Sequence, residues 1–214
     1  MAIVQNPFTG RTSGKFAGAV FSKQFGKNTL RSKPVSVKNP KTEKQKAQRD
    51  RFTMLIVIAR MLLTFVRISF KQATVGMSAF NTFVQKNIVN FVAGLWPNLT
   101  YDWSKLIVSM GTLMGFYNLA GSAVALHKVN VTWDDNTGDS GAEATDKVFV
   151  VLINTTTTQL YPISSNVTRV DGSVDIDLPA AWIGDSVAIY STLSDADEIQ
   201  FSDSEYIATI VVLA

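Results

Sequence analysis

With 214 residues, 46% of them hydrophobic, the chain is long enough for one large domain or two modest ones with a real core. It has no cysteine and a single histidine, His127, which excludes disulfides, thiolate metal sites, cysteine nucleophiles and most schemes of histidine catalysis. Residues 1–125 carry 17 Lys and Arg against 3 Asp and Glu, whereas residues 126–214 carry 3 against 14, giving net charges of +14 and −11. This division favours an anionic partner for the first part, or charge-complementary contact between copies.

The beginning of the chain lacks the basic start and apolar run of a secretory signal peptide. We therefore expect synthesis in the cytoplasm, with incorporation into an extracellular particle as an extension of that expectation. The apolar stretch 54–66 contains Arg60 and falls short of the roughly 20 residues that a membrane span needs. It predicts a buried helix.

Residues 1–41 are basic and contain a predicted hairpin, in which 19–25 and 29–33 flank a connection with Gly26 and Asn28. Eight cations of this arm form a candidate site for an anionic partner: Arg11, Lys15, Lys23, Lys27, Arg31, Lys33, Lys38 and Lys41. They can neutralise the phosphates of a nucleic acid or lie along an acidic protein subunit. We favour protein contact because the chain carries an acidic domain of its own.

Two helices are predicted next. Thr42 and Gln45 form a capping box, and apolar residues at three- and four-residue steps from Phe52 to Phe70 predict one helix over about 43–72, roughly 45 Å long. Ser78 caps a second apolar-striped helix that ends at Gly94. The stretch 105–113 fits a strand or a short helix, and we predict a strand.

From residue 122 the sequence pattern changes to short runs of residues that favour β-strands, separated by polar turns. Strands are predicted at about 123–133, 146–154, 158–163, 166–170, 173–177, 186–192 and 205–213. Seven strands in so few residues predict an immunoglobulin-like sandwich with Trp133 or Trp182 in its core. The nearly continuous apolar run 148–153 predicts a central strand. The alternation of apolar and acidic residues over 174–178 predicts a strand with one solvent-exposed face.

Two acidic segments of the sequence contain carboxylates that can bind metal ions. The loop 134–139 is rich in oxygen ligands, but its spacing does not fit an EF-hand, and the tract 195–205 fits a solvated loop. His127 lies among apolar residues and fits a structural role. We expect no metal, no cofactor, no small-molecule substrate and no enzymatic activity.

Five stretches together resemble one family: NPFTGRTSGK (6–15), GKNTLRSKP (26–34), QRDRF (48–52), LPAAWIGD (178–185) and FSDSEY (201–206). They resemble a domain-of-unknown-function family of Bacteroidota proteins of about this length with a C-terminal immunoglobulin-like domain. Proteins of this kind occur near phage-like and contractile-injection genes. The resemblance therefore implies a virion component or a cargo of a phage-tail-like particle.

The prediction is an α+β protein in which an N-terminal basic hairpin and two-helix region precede a C-terminal immunoglobulin-like β-sandwich. We place a basic extended arm or hairpin at 1–41, a helical region at 42–122 and the sandwich at 123–214. The leading hypothesis is a non-enzymatic structural or interaction protein, a component or cargo of a phage-like or contractile injection particle, with protein partners or self-association. The alternatives are a nucleic-acid-binding protein that uses the basic arm and a membrane-active delivered toxin.

Overall fold

The computed structural model describes residues 2–3, 14–24, 26–36, 39–74, 76–163 and 166–214. The chain divides into two compact units, Met1–Lys46 and Ala47–Ala214. The domain boundaries predicted at 41/42 and 122/123 stay predictions. The two units are described in turn.

The first unit contains a small antiparallel sheet. Its strands are β1 (Ala2–Ile3), β2 (Gly14–Phe16), β3 (Ala19–Gln24) and β4 (Lys27–Ser32), in the order β1-β4-β3-β2. The predicted hairpin is confirmed: β3 pairs with β4 across a turn in which Gly26 has a φ of 80°, a conformation that suits glycine. The hydroxyls of Ser22 and Thr29 lie 2.6 Å apart across the two strands, which helps to fix the register.

Three α-helices occur in the described residues, α1 (Glu43–Met61), α2 (Leu63–Ser69) and α3 (Ala79–Asn87). The predicted start of α1 is confirmed, since the Gln45 amide donates to Thr42 Oγ1 at 3.4 Å. The prediction of one helix over 43–72 is wrong, because the chain turns at Leu62 and the helices on either side are bent by 84°. The apolar spacing continues through the corner, and this is why the pattern does not reveal it.

The corner lets both helical segments cover the same core. Leu55 and Ile58 of α1 are fully buried, and so is Val66 of α2. Ser78 caps α3 as predicted, its Oγ accepting from the Asn81 amide at 3.2 Å, but α3 ends at Asn87 and not near Gly94. In the described part of the chain, no single helix has the length and apolarity to cross a membrane, and one bent pair, α1 with α2, passes by length and composition only.

Ten strands follow. They are β5 (Val92–Ala93), β6 (Thr100–Tyr101), β7 (Tyr117–Val124), β8 (Lys128–Asp134), β9 (Lys147–Asn154), β10 (Gln159–Leu160), β11 (Val167–Thr168), β12 (Ser173–Asp177), β13 (Ser186–Ser194) and β14 (Glu205–Val211). One sheet has the order β12-β8-β7, another has the order β10-β9-β13-β14 with β11 also beside β9, and β5 pairs with β6. Every pairing between these strands is antiparallel.

The larger sheet lies between two layers, and β9 shows how. Phe149, Val151 and Ile153 belong to a core shared with the three helices. The alternate residues, Val148 and Leu152 among them, belong to a second core shared with the smaller sheet. Side chains of a strand alternate between faces, so a continuous apolar run is what a strand covered on both faces requires.

Several of the predicted strands are wrong in detail, and those predicted at 158–163 and 166–170 are shorter, as β10 and β11. The strand predicted at 123–133 is the end of β7, a turn and β8. Leu126 and His127 take positive φ values of 65° and 50° in that turn, although neither is a typical turn residue. Their amides donate to the carbonyls of Ala214 and Leu213, both at 3.0 Å, which holds the turn in place.

The segment 105–113 is not a regular strand. Its backbone makes single hydrogen bonds with several other segments, and at Ile107 and Val108 side chains supply the partners. Ser69 Oγ donates to the Val108 carbonyl at 2.9 Å, and Ser204 Oγ accepts from the Val108 amide at 3.0 Å. The Asn87 side chain pairs with both polar groups of the Ile107 backbone, accepting at 2.8 Å and donating at 3.0 Å.

Candidate site for an anionic partner

Six of the eight predicted cations lie in the described residues, and all six are exposed: Lys15, Lys23, Lys27, Arg31, Lys33 and Lys41. Arg11 and Lys38 lie outside the described residues. The exposed six leave their charges in water, where they can meet a partner without first leaving a core.

The sheet brings three of these cations to one face. Lys15 of β2 is opposite Val20 of β3, and Val20 is opposite Arg31 of β4, so the three residues form one row across the sheet. Lys27 is four residues before Arg31 on the same strand and shares its face. We name Lys15, Lys27 and Arg31 the basic face. Strand spacing puts neighbouring cations roughly 10–13 Å apart along or across the sheet.

The other described cations of the set are not part of this face. Lys23 alternates to the opposite face of β3, and Lys33 follows the end of β4, where its amide donates to the Gly18 carbonyl at 2.7 Å. Lys41 lies just before α1 with a φ of 51°. The predicted site is therefore a basic unit with one organised row of charge.

The electrostatics of the two units are opposed. Residues 1–46 contain 10 Lys and Arg and a single acid, Glu43, which gives +9, whereas residues 47–214 contain 10 against 16, which gives −6. The ion pairs within the described residues all lie in the second unit: Lys128–Asp177 at 3.2 Å, Lys147–Glu198 at 2.7 Å and Arg169–Asp146 at 2.8 Å. Within the same residues, the basic face has no carboxylate partner.

Sequence reasoning missed one cation, Arg169. The strand predicted over 166–170 includes Arg169, but Arg169 begins a 3₁₀ turn, Arg169–Asp171, that follows β11. Thr168 and Asp171 form a capping box at the start of this turn. The spacing of Thr168 and Asp171 was visible in the sequence and is the signal that could have identified the turn.

Arg169 is fully buried, and its guanidinium has a complete set of acceptors. It donates to Asp146 Oδ2 at 2.8 and 3.1 Å, to the carbonyls of Met114 and Gly115 at 2.9 and 3.2 Å, and to Asn136 Oδ1. Trp133 Nε1 donates to the Arg169 carbonyl at 2.7 Å. The cluster joins the loops around the smaller sheet and has a structural role.

Carboxylates of the two acidic segments accept hydrogen bonds from residues of their own loops. Thr137 donates to Asp135 Oδ1 from its hydroxyl at 2.5 Å and from its amide at 2.9 Å, and these hydrogen bonds lower the pKa of Asp135. Asp195 Oδ1 accepts from the amides of Ile199 and Gln200 at 2.7 and 3.1 Å. Among the described residues, no three His, Asp or Glu side chains are arranged to hold a metal ion.

Among the described residues, the buried Tyr190 has a strongly raised pKa. Its hydroxyl donates to the Trp103 carbonyl at 2.5 Å, and burial raises the pKa of Tyr190 far above its ordinary value. The side chain belongs to the core between the helices and the larger sheet. A neutral phenol held in this way joins the Trp103 turn to β13 and does not act as a base near neutral pH.

The described fold is that of a mixed α/β, β-rich protein with a basic β unit followed by helices packed on antiparallel sheets. The chain belongs to the family of unknown function DUF6266, which matches residues 11–208. No curated protein matches the chain significantly. The matched range includes residues of both units.

Proposed function

We propose that this protein is a non-enzymatic structural or interaction protein whose basic N-terminal unit binds an acidic protein surface. The observation that carries the proposal is the basic face, where Lys15, Lys27 and Arg31 share one side of a sheet in a unit of charge +9. Complementary charge steers encounters between proteins and fixes their register. Rows of fixed cations on a sheet suit a repeated contact in an assembly.

A second candidate function is nucleic-acid binding by the same face. The spacing of the cations favours it, since side chains roughly 10–13 Å apart can each meet a different phosphate group. No base-reading element accompanies the cations, so the expected binding is independent of sequence. The two functions share their residues and differ in the partner.

One experiment separates these partners. The full chain is titrated against a polyglutamate peptide and against a 20-base-pair DNA duplex at 50 and 200 mM salt. The variant Lys15→Glu/Lys27→Glu/Arg31→Glu is compared with Lys71→Glu/Lys86→Glu/Lys105→Glu, which changes the net charge equally through exposed lysines of the second unit. We expect tighter binding to polyglutamate and at least about a tenfold loss for the first variant only. Tighter binding to DNA, with a steep salt dependence, would transfer the proposal to nucleic acid.

The third hypothesis is a membrane-active toxin, which would have to use the apolar stripes around 54–70 and 80–92. Those stripes include Leu55, Leu62 and Val66, which are buried in the core shared with the larger sheet. Membrane insertion would have to release them from that core. Leakage of dye from liposomes at micromolar protein tests this hypothesis, and we expect none.

We also propose that the sheets of the second unit form an immunoglobulin-like sandwich. Lettered in chain order, with β7, β8 and β12 as A, B and E, the smaller sheet has the order E-B-A, and the larger sheet corresponds to C′-C-F-G. Trp133 departs from the antibody pattern because it lies on strand B. Placement in a phage-like or contractile injection particle stays a prediction from the family resemblance, and electron microscopy of native complexes tests it.

A further inference from the structure

The two sheets of the second unit are close together on one side and open on the other. On the closed side β7 lies against β14, where a Cβ added to Gly121 would be 3.0 Å from Ile207 Cγ2. On the open side the end strands are β12 in the smaller sheet and β10 with β11 in the larger sheet. A cleft of about 410 Å³ lies between these end strands, and we name it the edge cleft.

The edge cleft has apolar walls and an acidic rim. Its walls include Val150 of β9 and the half-buried Val174 and Ile176 of β12. Asp175 and Asp177 alternate with these residues on β12 and are exposed. Their partners lie on the outer face of the sheet, where Asn130 Nδ2 donates to Asp175 at 2.6 Å and Lys128 pairs with Asp177 at 3.2 Å.

A sheet edge with an acidic rim selects an extended segment that offers a strand edge and cations. A strand added to a sheet edge gains main-chain hydrogen bonds, and opposite charges on neighbouring strands stabilise the pairing. Among the described residues β12 pairs only with β8, and its other edge and the two aspartates supply one half of such a contact.

The other half is present in the same chain. In the first unit, β2 is the end strand of its described sheet, and Lys15 and Arg31 share one face of that sheet. The unit carries +9 against −6 for the unit that contains the cleft. The acidic protein surface required by the proposed function is thus available on every copy of the protein.

We propose that the edge cleft of one copy binds the N-terminal unit of a second copy, with β2 beside β12 and Lys15 facing Asp175 and Asp177. This inference rests on the proposed function and names its partner. Each copy carries both halves of the contact, so the association is head-to-tail and builds rings or filaments.

The test is sedimentation velocity of the purified full chain with two complementary variants. The cleft variant is Asp175→Lys/Asp177→Lys, and the sheet variant is Lys15→Glu/Arg31→Glu. We expect concentration-dependent association of the unchanged protein, weakened at least about tenfold in each variant alone. Mixed in equal amounts, the two variants associate again, because the sheet of the cleft variant fits the cleft of the sheet variant. The chain with all four substitutions regains self-association through reversed pairs.

The matched control is Asp139→Lys/Asp197→Lys, which makes the same change in net charge at exposed carboxylates outside the cleft. It keeps the association of the unchanged protein. A protein that stays monomeric at 50 mM salt and roughly 100 µM overturns the proposal. So does an equal loss in the control, or a failure of the mixed variants to associate. If monomeric protein still joins native complexes through its basic face, the proposed function stands and this inference alone fails.

Discussion

Arg169 and Asp146 form a buried pair that ties together three parts of the second unit. Asp146 accepts two hydrogen bonds from the guanidinium and a third from the Glu143 amide at 3.0 Å. A buried charge that loses its only counter-ion is costly, whereas an exposed pair contributes little. The buried pair Arg169–Asp146 and the solvent-exposed pair Lys128–Asp177 therefore differ in their expected effect on stability.

Replacing Arg169 tests this difference. We expect Arg169→Met to lower the free energy of unfolding by about 3–5 kcal/mol, because it leaves the Asp146 carboxylate buried without a cation. Lys128→Met, which breaks the half-exposed pair with Asp177, should cost at most about 1 kcal/mol. Urea unfolding followed by tryptophan fluorescence measures both. Equal effects of the two variants would contradict a special role for the buried cluster.

Asp171 gives a prediction for pH. The amide and then the hydroxyl of Thr168 donate to Asp171 Oδ2 at 2.6 and 2.9 Å, and they lower the pKa of Asp171 below its ordinary 3.8. A carboxyl with a depressed folded pKa stabilises the protein above its unfolded pKa and loses that contribution as the pH falls through the folded pKa. Thr168→Val removes the hydroxyl and should raise the pKa of Asp171 part of the way back. NMR titration from pH 2 to 6 checks this, and an unchanged pKa would show that the hydroxyl has no influence.

The segment 105–113 shows how a stretch of chain without a regular β-ladder is held inside a protein. Buried backbone groups need partners, and Asn87 supplies both partners for Ile107. Sequence reasoning took the apolar residues of this segment for a strand because the partners come from side chains distant in sequence. A local pattern cannot show them.

Asn87→Leu tests the importance of this support. The substitution leaves two partly buried groups of the Ile107 backbone without the Asn87 side chain, and we expect a loss of about 1–3 kcal/mol in the free energy of unfolding. Gln85→Leu, at an exposed position of the same helix, should change stability by no more than about 0.5 kcal/mol. Urea titration measures the free energy of unfolding of both variants. A loss no larger than that of Gln85→Leu would show that the Asn87 side chain does not stabilise this segment.

The elements that could be predicted are those in which local pattern and burial agree. The strand predicted at 173–177 has those bounds, since Val174 and Ile176 alternate with exposed residues. The helix corner at Leu62 could not be predicted, because the apolar stripe continues through it. Cations of the candidate site were visible as charges, but their division between faces depends on strand register, which one residue of slippage would invert.

At the scale of the whole molecule, the helices and sheets of the second unit share one core. Phe149, Val151 and Ile153 lie on the sheet face that the helices cover. Exposing three such side chains costs roughly 5–9 kcal/mol, which is comparable with the total stability of a domain. The boundary predicted at 122/123 implies that 123–214 folds alone, and the shared core argues for a larger folding unit.

Two fragments test this point. We expect 47–214 to unfold cooperatively, and we expect 123–214 to have a lower melting temperature, to expose apolar surface and to bind a hydrophobic dye. Circular dichroism with a thermal ramp gives the melting temperatures. Equal melting temperatures for the two fragments would instead support an independent domain at 123–214.

The central claim is that the basic face joins the protein to its assembly. The most direct measurement is mass photometry of native complexes purified from cells that produce the unchanged protein, Lys15→Glu/Lys27→Glu/Arg31→Glu, or the control Lys71→Glu/Lys86→Glu/Lys105→Glu. We predict that the unchanged protein and the control are found in complexes heavier than the 23.4 kDa chain, whereas the basic-face variant is found as the free chain. A basic-face variant that stays in the same heavy complexes as the unchanged protein would contradict the account.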